Sequence, residues 1–185
     1  MDMDELLNNI YKKKLIKNKT NFPEHIGNSV YGEIEKAGTE KILEMFSEYF
    51  NSNAVFCDIG SGNGKMVLHV GLVTKVKESI GIEYSKERYD ASLELKETYA
   101  PNSNHITFYN QPFQNVDLKN VTIAYVDNTM FKRVINNQIF DAIPKGCLLL
   151  YKKTIPAAKN QKIYVGKGLI KRTYNQAGLN WLIKE

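Results

Sequence analysis

Apolar and polar positions recur along this chain with two different periods. Near the N-terminus Leu6, Leu7, Ile10, Leu15 and Ile16 stand at mostly helical spacing behind acids in the first turn, which predicts a helix over Asp4 to Lys17. Residues 18–30 are rich in Asn, Pro, Gly and Ser and predict a loop. Thr39 is the expected N-cap of a helix carrying Ile42, Leu43, Met45, Phe46 and Phe50. Short apolar runs then alternate with helix-like stretches. Strands are predicted over Ala54–Asp58, Ser79–Glu83, His105–Tyr109, Val121–Val126 and Leu148–Tyr151. Helices are predicted over Asn63–Thr74, Lys86–Tyr99 and Phe131–Ile143.

Apolar strands alternating with helices imply a mostly parallel sheet covered on both faces. The tail breaks the alternation: Ile163–Tyr174 and Leu179–Lys184, separated by Asn175-Gln176-Ala177-Gly178, predict an antiparallel hairpin. The expected class is α/β, a Rossmann-like seven-stranded sheet, mostly parallel, with a C-terminal antiparallel hairpin and a short helical segment in front. Residues 1–30 are expected to form a basic helix and loop, and 31–185 one domain. Five parallel strands closed by such a hairpin resemble the sheet of the common S-adenosylmethionine-dependent methyltransferases.

Composition adds exclusions. Hydrophobic content of 43% and charged content of 24% are ordinary for a globular chain. The longest apolar runs are strand-length, so no membrane span is expected, and from the Met-Asp-Met-Asp-Glu start no secretory signal is expected. Cys57 and Cys147 both sit in apolar runs and read as buried thiols of a reducing compartment. His25, His69 and His105 lack ligand spacing, so no metal site is expected.

The net charge of +5 points to an anionic partner such as nucleic acid. Of the 25 Lys and Arg residues only Arg88, Arg133 and Arg172 are arginine, a skew that an AT-rich genome would account for. It would not account for the absence of Asp and Glu from Ala142 to Lys184, a stretch that includes Lys145, Lys152, Lys153 and Lys184. A second basic run, Lys12-Lys13-Lys14 with Lys17 and Lys19, lies near the N-terminus.

The most informative stretch is Val55-Phe56-Cys57-Asp58-Ile59-Gly60-Ser61-Gly62-Asn63-Gly64, a buried strand running through a G-x-G-x-G turn into a helix. Glycines there permit positive φ and a close backbone approach to a ligand. The dinucleotide pattern G-x-G-x-x-G aims a helix N-terminus at a pyrophosphate; here the third glycine comes one residue early. Asp58, two residues before Gly60, would repel a diphosphate but suits the cationic methionine end of S-adenosylmethionine. Glu83, at the end of the second strand, can accept hydrogen bonds from both ribose hydroxyls.

Three segments resemble, in order, the Dot (disruptor of telomeric silencing) lysine methyltransferases, which act on a lysine of the nucleosome's histone core. Val30-Tyr31-Gly32-Glu33 is similar to the family's V-Y-G-E loop over the cofactor. Val55 to Lys65 is similar to its F-V-D-L-G-S-G-x-G-Q block, with Gly81-Ile82-Glu83 like its G-V-E. Ile123 to Phe131 is similar to its V-x-F-V-N-N-F-x-F segment, and the tail from Tyr174 to Trp181 more loosely to a stretch bordering the lysine channel. The likeness spans about residues 28–185. It implies S-adenosylmethionine held by Tyr31, Glu33, Asp58, Gly60, Gly62, Lys65, Glu83, Phe113 and Asn128. It implies catalysis by Asn128, Asp127, Tyr31, Tyr174 and Trp181, with Phe131 as a further aromatic wall.

Two positions depart from the family. Gln111-Pro112-Phe113 replaces an Asp-Phe pair, so Gln111 or a backbone carbonyl must serve the adenine amino group while Phe113 stacks on the ring. Asp127 stands where the first Asn of the Asn-Asn pair belongs. The expected activity is protein (histone) lysine N-methylation by a monomer in the nucleus or cytoplasm. The expected partner is a nucleosome, gripped through Lys12–Lys19 and Lys145–Lys184. The alternatives are an RNA or DNA methyltransferase and a non-catalytic chromatin-binding module. Against the first stands the lack of prolines in Asp127-Asn128-Thr129-Met130, where base-amino enzymes carry an Asn/Asp-Pro-Pro-aromatic motif; against the second, the intact Asp58, glycine and Glu83 set.

Overall fold

Apolar side chains on both faces of the strands drive this chain into three layers. The computed structural model describes the backbone of residues 1–14, 32–160, 164–171 and 176–185, and their side chains except at 159–160, 164–171 and 176–177. Its elements run α1 (Met3–Lys12), α2 (Lys36–Met45), β1 (Val55–Ile59), α3 (Lys65–Val73), β2 (Glu78–Ile82) and α4 (Lys86–Tyr99). Then follow β3 (Ile106–Tyr109), β4 (Ile123–Val126), α5 (Arg133–Ala142), β5 (Leu148–Tyr151), β6 (Tyr164–Lys171) and β7 (Gln176–Ile183).

The strands form one seven-stranded sheet of order β3-β2-β1-β4-β5-β7-β6. The first five are parallel, and β7 runs antiparallel to both β5 and β6. The order reverses between β1 and β4, the place where open α/β sheets hold ligands at the carboxyl ends of their strands.

Alternation along each strand sorts the core into two layers. Phe56, Ile123, Tyr125, Leu148 and Leu150 pack with residues of α1, α2 and α3, including Leu7, Ile10 and Ile42. Cys57, Ala124, Val126, Leu149 and Tyr151 point the other way, against Ile135, Ile139 and Phe140 of α5. Burial holds the Cys57 thiol well above its ordinary pKa and pushes Cys147 up to about 12, so both are inert core groups.

Local chemistry moves several boundaries. The first helix ends at Lys12, where Lys13 turns to ψ 131° as the C-cap, instead of continuing to Lys17; residues 15–17 lie outside the described ones. Asp2 caps its start by accepting from the Glu5 N–H at 2.8 Å. Thr39 is not an N-cap: it lies buried inside α2, its hydroxyl 2.8 Å from that of Tyr11. The third helix starts at Lys65 because Gly64 sits at φ 74°, a left-handed conformation that side chains rarely adopt. In the hairpin the ladder continues to Lys171↔Gln176, so Gln176, Ala177 and Gly178 belong to β7 instead of the predicted turn.

Candidate functional site

The site forms at the carboxyl ends of β1, β2 and β4. Ile82 ends β2 with a carbonyl that accepts from Gly60 N–H at 2.8 Å and Ser61 N–H at 3.0 Å, bending the chain off β1 across the top of the sheet. Gly60, at φ 86°, lies where an added Cβ would come within 3.3 Å of the Phe131 ring. At Gly64 an added Cβ would collide with Phe108 at 2.5 Å and with Ser92. The first glycine therefore admits the β4–α5 connection, and the third admits the helix onto the sheet.

Asp58 and Glu83 are both 5% exposed. One Glu83 oxygen accepts the Gly62 N–H at 2.8 Å and the other the Ser85 N–H at 2.8 Å, fixing the glycine turn to the end of β2. Burial raises the Glu83 pKa, opposed by the Ser85 N–H, the Arg88 charge and the Gly62 N–H. Burial also holds Asp58 well above the usual carboxylate range, and the nearby charges of Glu83, Asp127 and Glu33 add to it. A nearby cation would favour the charged forms of these acids.

A cavity of about 30 Å³ lies here, with Glu33, Asp58, Gly60, Ser61, Tyr125 and Asp127 in its wall. A larger cleft of about 560 Å³ opens beyond Glu33 and Lys65, toward α1 and Lys36. Ser61 and Tyr125 escaped the sequence reading. The Ser61 hydroxyl is buried with no hydrogen-bond partner among the described residues. Tyr125 pairs with Asp58 in register, and a strand alternation that places Asp127 in the cavity places Tyr125 there as well.

Other expected residues sit differently. Lys65 lines the cavity, but its ammonium is bonded to Glu33 Oε2 at 2.7 Å and to the carbonyls of Lys13 at 2.7 Å and Tyr11 at 3.4 Å. Asn128 is wholly buried and braces two loops. Its Nδ2 donates to Asn136 Oδ1 at 2.7 Å and to the Lys153 carbonyl at 2.8 Å. Its Oδ1 accepts the N–H groups of Lys152 at 2.9 Å and Lys153 at 2.7 Å. No donor or acceptor of that amide is left for an amine or a cofactor. Asp127 Oδ1 accepts from the Thr129 hydroxyl at 2.6 Å and its N–H at 3.3 Å.

Trp181 packs edge-on against Phe46 at 5.2 Å, beside the core at the end of α2. Phe113 is buried in the opposite layer with Ile80 and Ile82. Gln111 Nε2 donates to the Asn115 carbonyl at 3.3 Å. Tyr31 and Tyr174 lie outside the described residues. Among those described, no group of three or more His, Cys, Asp or Glu is placed to hold a metal ion, and no helix is long and apolar enough to cross a membrane.

The profile of the family described as histone methylation protein DOT1 matches residues 11–163. No curated protein matches the chain in sequence. Among solved structures, a putative RNA methyltransferase from Pyrococcus horikoshii is similar at TM-score 0.65 and 15% identity, over 100% of this chain and 98% of that one. An RNA methyltransferase from Salinibacter ruber, crystallised with S-adenosyl-L-homocysteine, is similar at TM-score 0.61 and 16% identity, over 83% and 94%. The magnesium protoporphyrin IX methyltransferase from Synechocystis, with bound S-adenosylmethionine, is similar at TM-score 0.61 and 10% identity, over 80% and 78%. At these identities the likeness is one of fold.

Proposed function

We infer the reaction from the premise that this chain belongs to the DOT1 histone methylation family, whose profile spans its residues 11–163: it is a methyltransferase that uses S-adenosylmethionine and, we propose, delivers the methyl group to a lysine of the nucleosome. The observation that carries the reading is the buried Asp58 carboxyl beside the glycine turn, at the reversal point of the sheet.

The residues present suit that cofactor. Ser61 brings a buried hydroxyl with no partner among the described residues to a cavity walled by Glu33, Asp58 and Asp127. Those carboxylates favour a cationic methionine end, and Glu83 is assigned the ribose from its place at the end of β2. When bound, S-adenosylmethionine supplies an electrophilic methyl group on a cationic sulfur. The chain's own work is then to orient and desolvate the acceptor.

A free lysine has a pKa of about 10.4, so holding it neutral at pH 7 costs roughly 4 to 5 kcal/mol. Aromatic, apolar walls lower that cost by disfavouring the ammonium, and Phe131, whose ring lies beside Gly60, is assigned one of them. Tyr31 and Tyr174 are assigned the remaining wall by family resemblance. Asp127, held by Thr129, is the candidate proton acceptor. Asn128 is assigned an architectural part, because its amide is fully committed.

The partner surface is assigned to exposed lysines. Lys12 and Lys14 are exposed, as are Lys145 and Lys153. Lys184 is not available: its ammonium donates to the carbonyls of Phe140, Asp141 and Ile143 and caps the C-terminus of α5. Chromatin, and hence the nucleus, is the assigned place of action. Transfer of labelled methyl from S-adenosylmethionine onto nucleosomes, free histones and RNA tests the reading. Label on a nucleosomal histone lysine is expected; label on RNA alone would replace the assignment with the nucleic-acid alternative.

A further inference from the structure

We propose that Lys65 is a positioning residue that makes helix α1 part of the cofactor site, holding Glu33 at the cavity wall with the same ammonium that grips the end of α1. The inference rests on the cofactor reading above.

Lys65 is the first residue of α3, directly after the glycine turn, and only 5% exposed. A buried ammonium is tolerated only when its donors are matched and its charge is met. Lys65 reaches that condition through groups from two separate parts of the chain. Glu33, itself only 10% exposed, supplies the counter-charge at 2.7 Å. The carbonyls of Tyr11 and Lys13, at the last turn and C-cap of α1, supply the rest. Carbonyls at a helix C-terminus lack intrahelical donors and carry the negative end of the helix dipole, so a cation is favoured there. If α1 departs, Lys65 loses its carbonyl partners. If Glu33 departs, it loses its counter-ion. The three groups therefore assemble together.

The charge balance gives this assembly a consequence for the ligand. Among the described residues lining the small cavity Lys65 is the one cation, against the acids Glu33, Asp58 and Asp127. An uncommitted ammonium at that wall would repel a cationic ligand. With α1 docked, the Lys65 charge is absorbed by carbonyl oxygens and Glu33 is held in place.

The docking of α1 has support independent of Lys65. Leu7 and Ile10 are buried in the main core. The Tyr11 hydroxyl meets Thr39 Oγ1 of α2 at 2.8 Å and His69 Nδ1 of α3 at 3.2 Å. Lys13 Nζ meets Glu94 of α4 at 2.9 Å. On the outside, Lys12 and Lys14 are exposed. Whatever grips those side chains grips the segment whose carbonyls hold Lys65.

Calorimetry with S-adenosylhomocysteine on wild type, Glu33→Gln, Lys65→Met and the double variant tests the first half. Each single change should raise Kd by roughly tenfold, the scale of one lost charge-assisted hydrogen bond, and the double change should raise it no further than Glu33→Gln alone. Fully additive penalties would overturn the idea that Lys65 acts through Glu33. The second half needs no variant. Saturating S-adenosylhomocysteine should slow amide exchange of α1 in the wild-type protein, because linkage between ligand and helix is reciprocal. Unchanged exchange in α1, with the ligand bound, would overturn the coupling. A wild type that binds no S-adenosylhomocysteine would instead remove the cofactor assignment, whereas binding without these couplings removes only the present inference.

Discussion

A primary amide offers two N–H donors and two acceptor lone pairs, and Asn128 spends all four on Asn136 and the backbone of Lys152 and Lys153. Asn128→Ala should leave the buried Asn136 amide oxygen and the part-buried backbone groups of Lys152 and Lys153 without this partner, at about 1–3 kcal/mol for each group that water does not reach. Thermal and urea unfolding should show the loss, while S-adenosylhomocysteine affinity stays within a few-fold of wild type. A variant that melts normally but binds the cofactor far more weakly would return Asn128 to the ligand-contacting residues. Asp58 carries the opposite trade. Its raised pKa means that the folded chain keeps a proton which the unfolded chain loses above pH ~4, so stability falls as pH rises through that window. Asp58→Asn should therefore melt higher than wild type near pH 8, converge with it near pH 4, and fail to bind the cofactor. Equal melting temperatures across that range would mean that Asp58 carries no such strain.

At the scale of elements, apolar runs made the five parallel strands legible, because strands buried on both faces admit little else. The ends were less legible. Nothing in the local pattern says that Thr39 serves Tyr11 from inside α2, since that partner comes from a helix far away in sequence. Lys65 was legible as part of a glycine-turn block but not as a buried cation, for the same reason: its partners belong to α1 and to Glu33. The family resemblance implied a channel wall for Trp181, and its packing against Phe46 follows from a sheet register that the local pattern does not show. His69 shows how such long-range docking creates a pH response. Burial lowers its pKa from 6.5 to about 4, so the folded chain binds it neutral next to Tyr11. A histidine with a depressed folded pKa contributes full stability above pH 6.5 and loses it as pH falls toward 4, a span worth about 3 kcal/mol. Urea unfolding at pH 7.5 and pH 4.5 should show that His69→Gln has a smaller acid penalty than wild type. Parallel pH dependences would remove His69 as the source.

Across the whole molecule, charge is sorted around one end of the sheet. The acids Glu33, Asp58, Glu83 and Asp127 are drawn to the carboxyl ends of β1, β2 and β4, while exposed Lys132 and Lys153 stand on the loops after β4 and β5 and exposed Arg133 begins α5. Those two loops are tied together: Asn136 donates to the Lys132 carbonyl and receives from Asn128, which also bonds Lys153. A cationic rim around an acidic pocket is the arrangement expected if a polyanion is held outside while a cation is held within. The net charge of +5 is thus less informative than its placement. If Lys12, Lys13, Lys14, Lys17 and Lys19 grip nucleosomal DNA, neutralising them should weaken nucleosome binding while sparing the fold. Each phosphate contact contributes about −0.9 to the slope of log affinity against log salt on duplex DNA, so losing all five would make the slope shallower by about 4.5. Activity on free histones should change less, because no duplex is present. Lys184→Met provides the contrast, since that ammonium is spent on the carbonyls that end α5. It should lower the melting temperature and leave the salt slope alone. Equal slopes for wild type and the five-lysine variant would remove the N-terminal run from the DNA contact and leave the rim of Lys132, Arg133 and Lys153 as the surface to neutralise next.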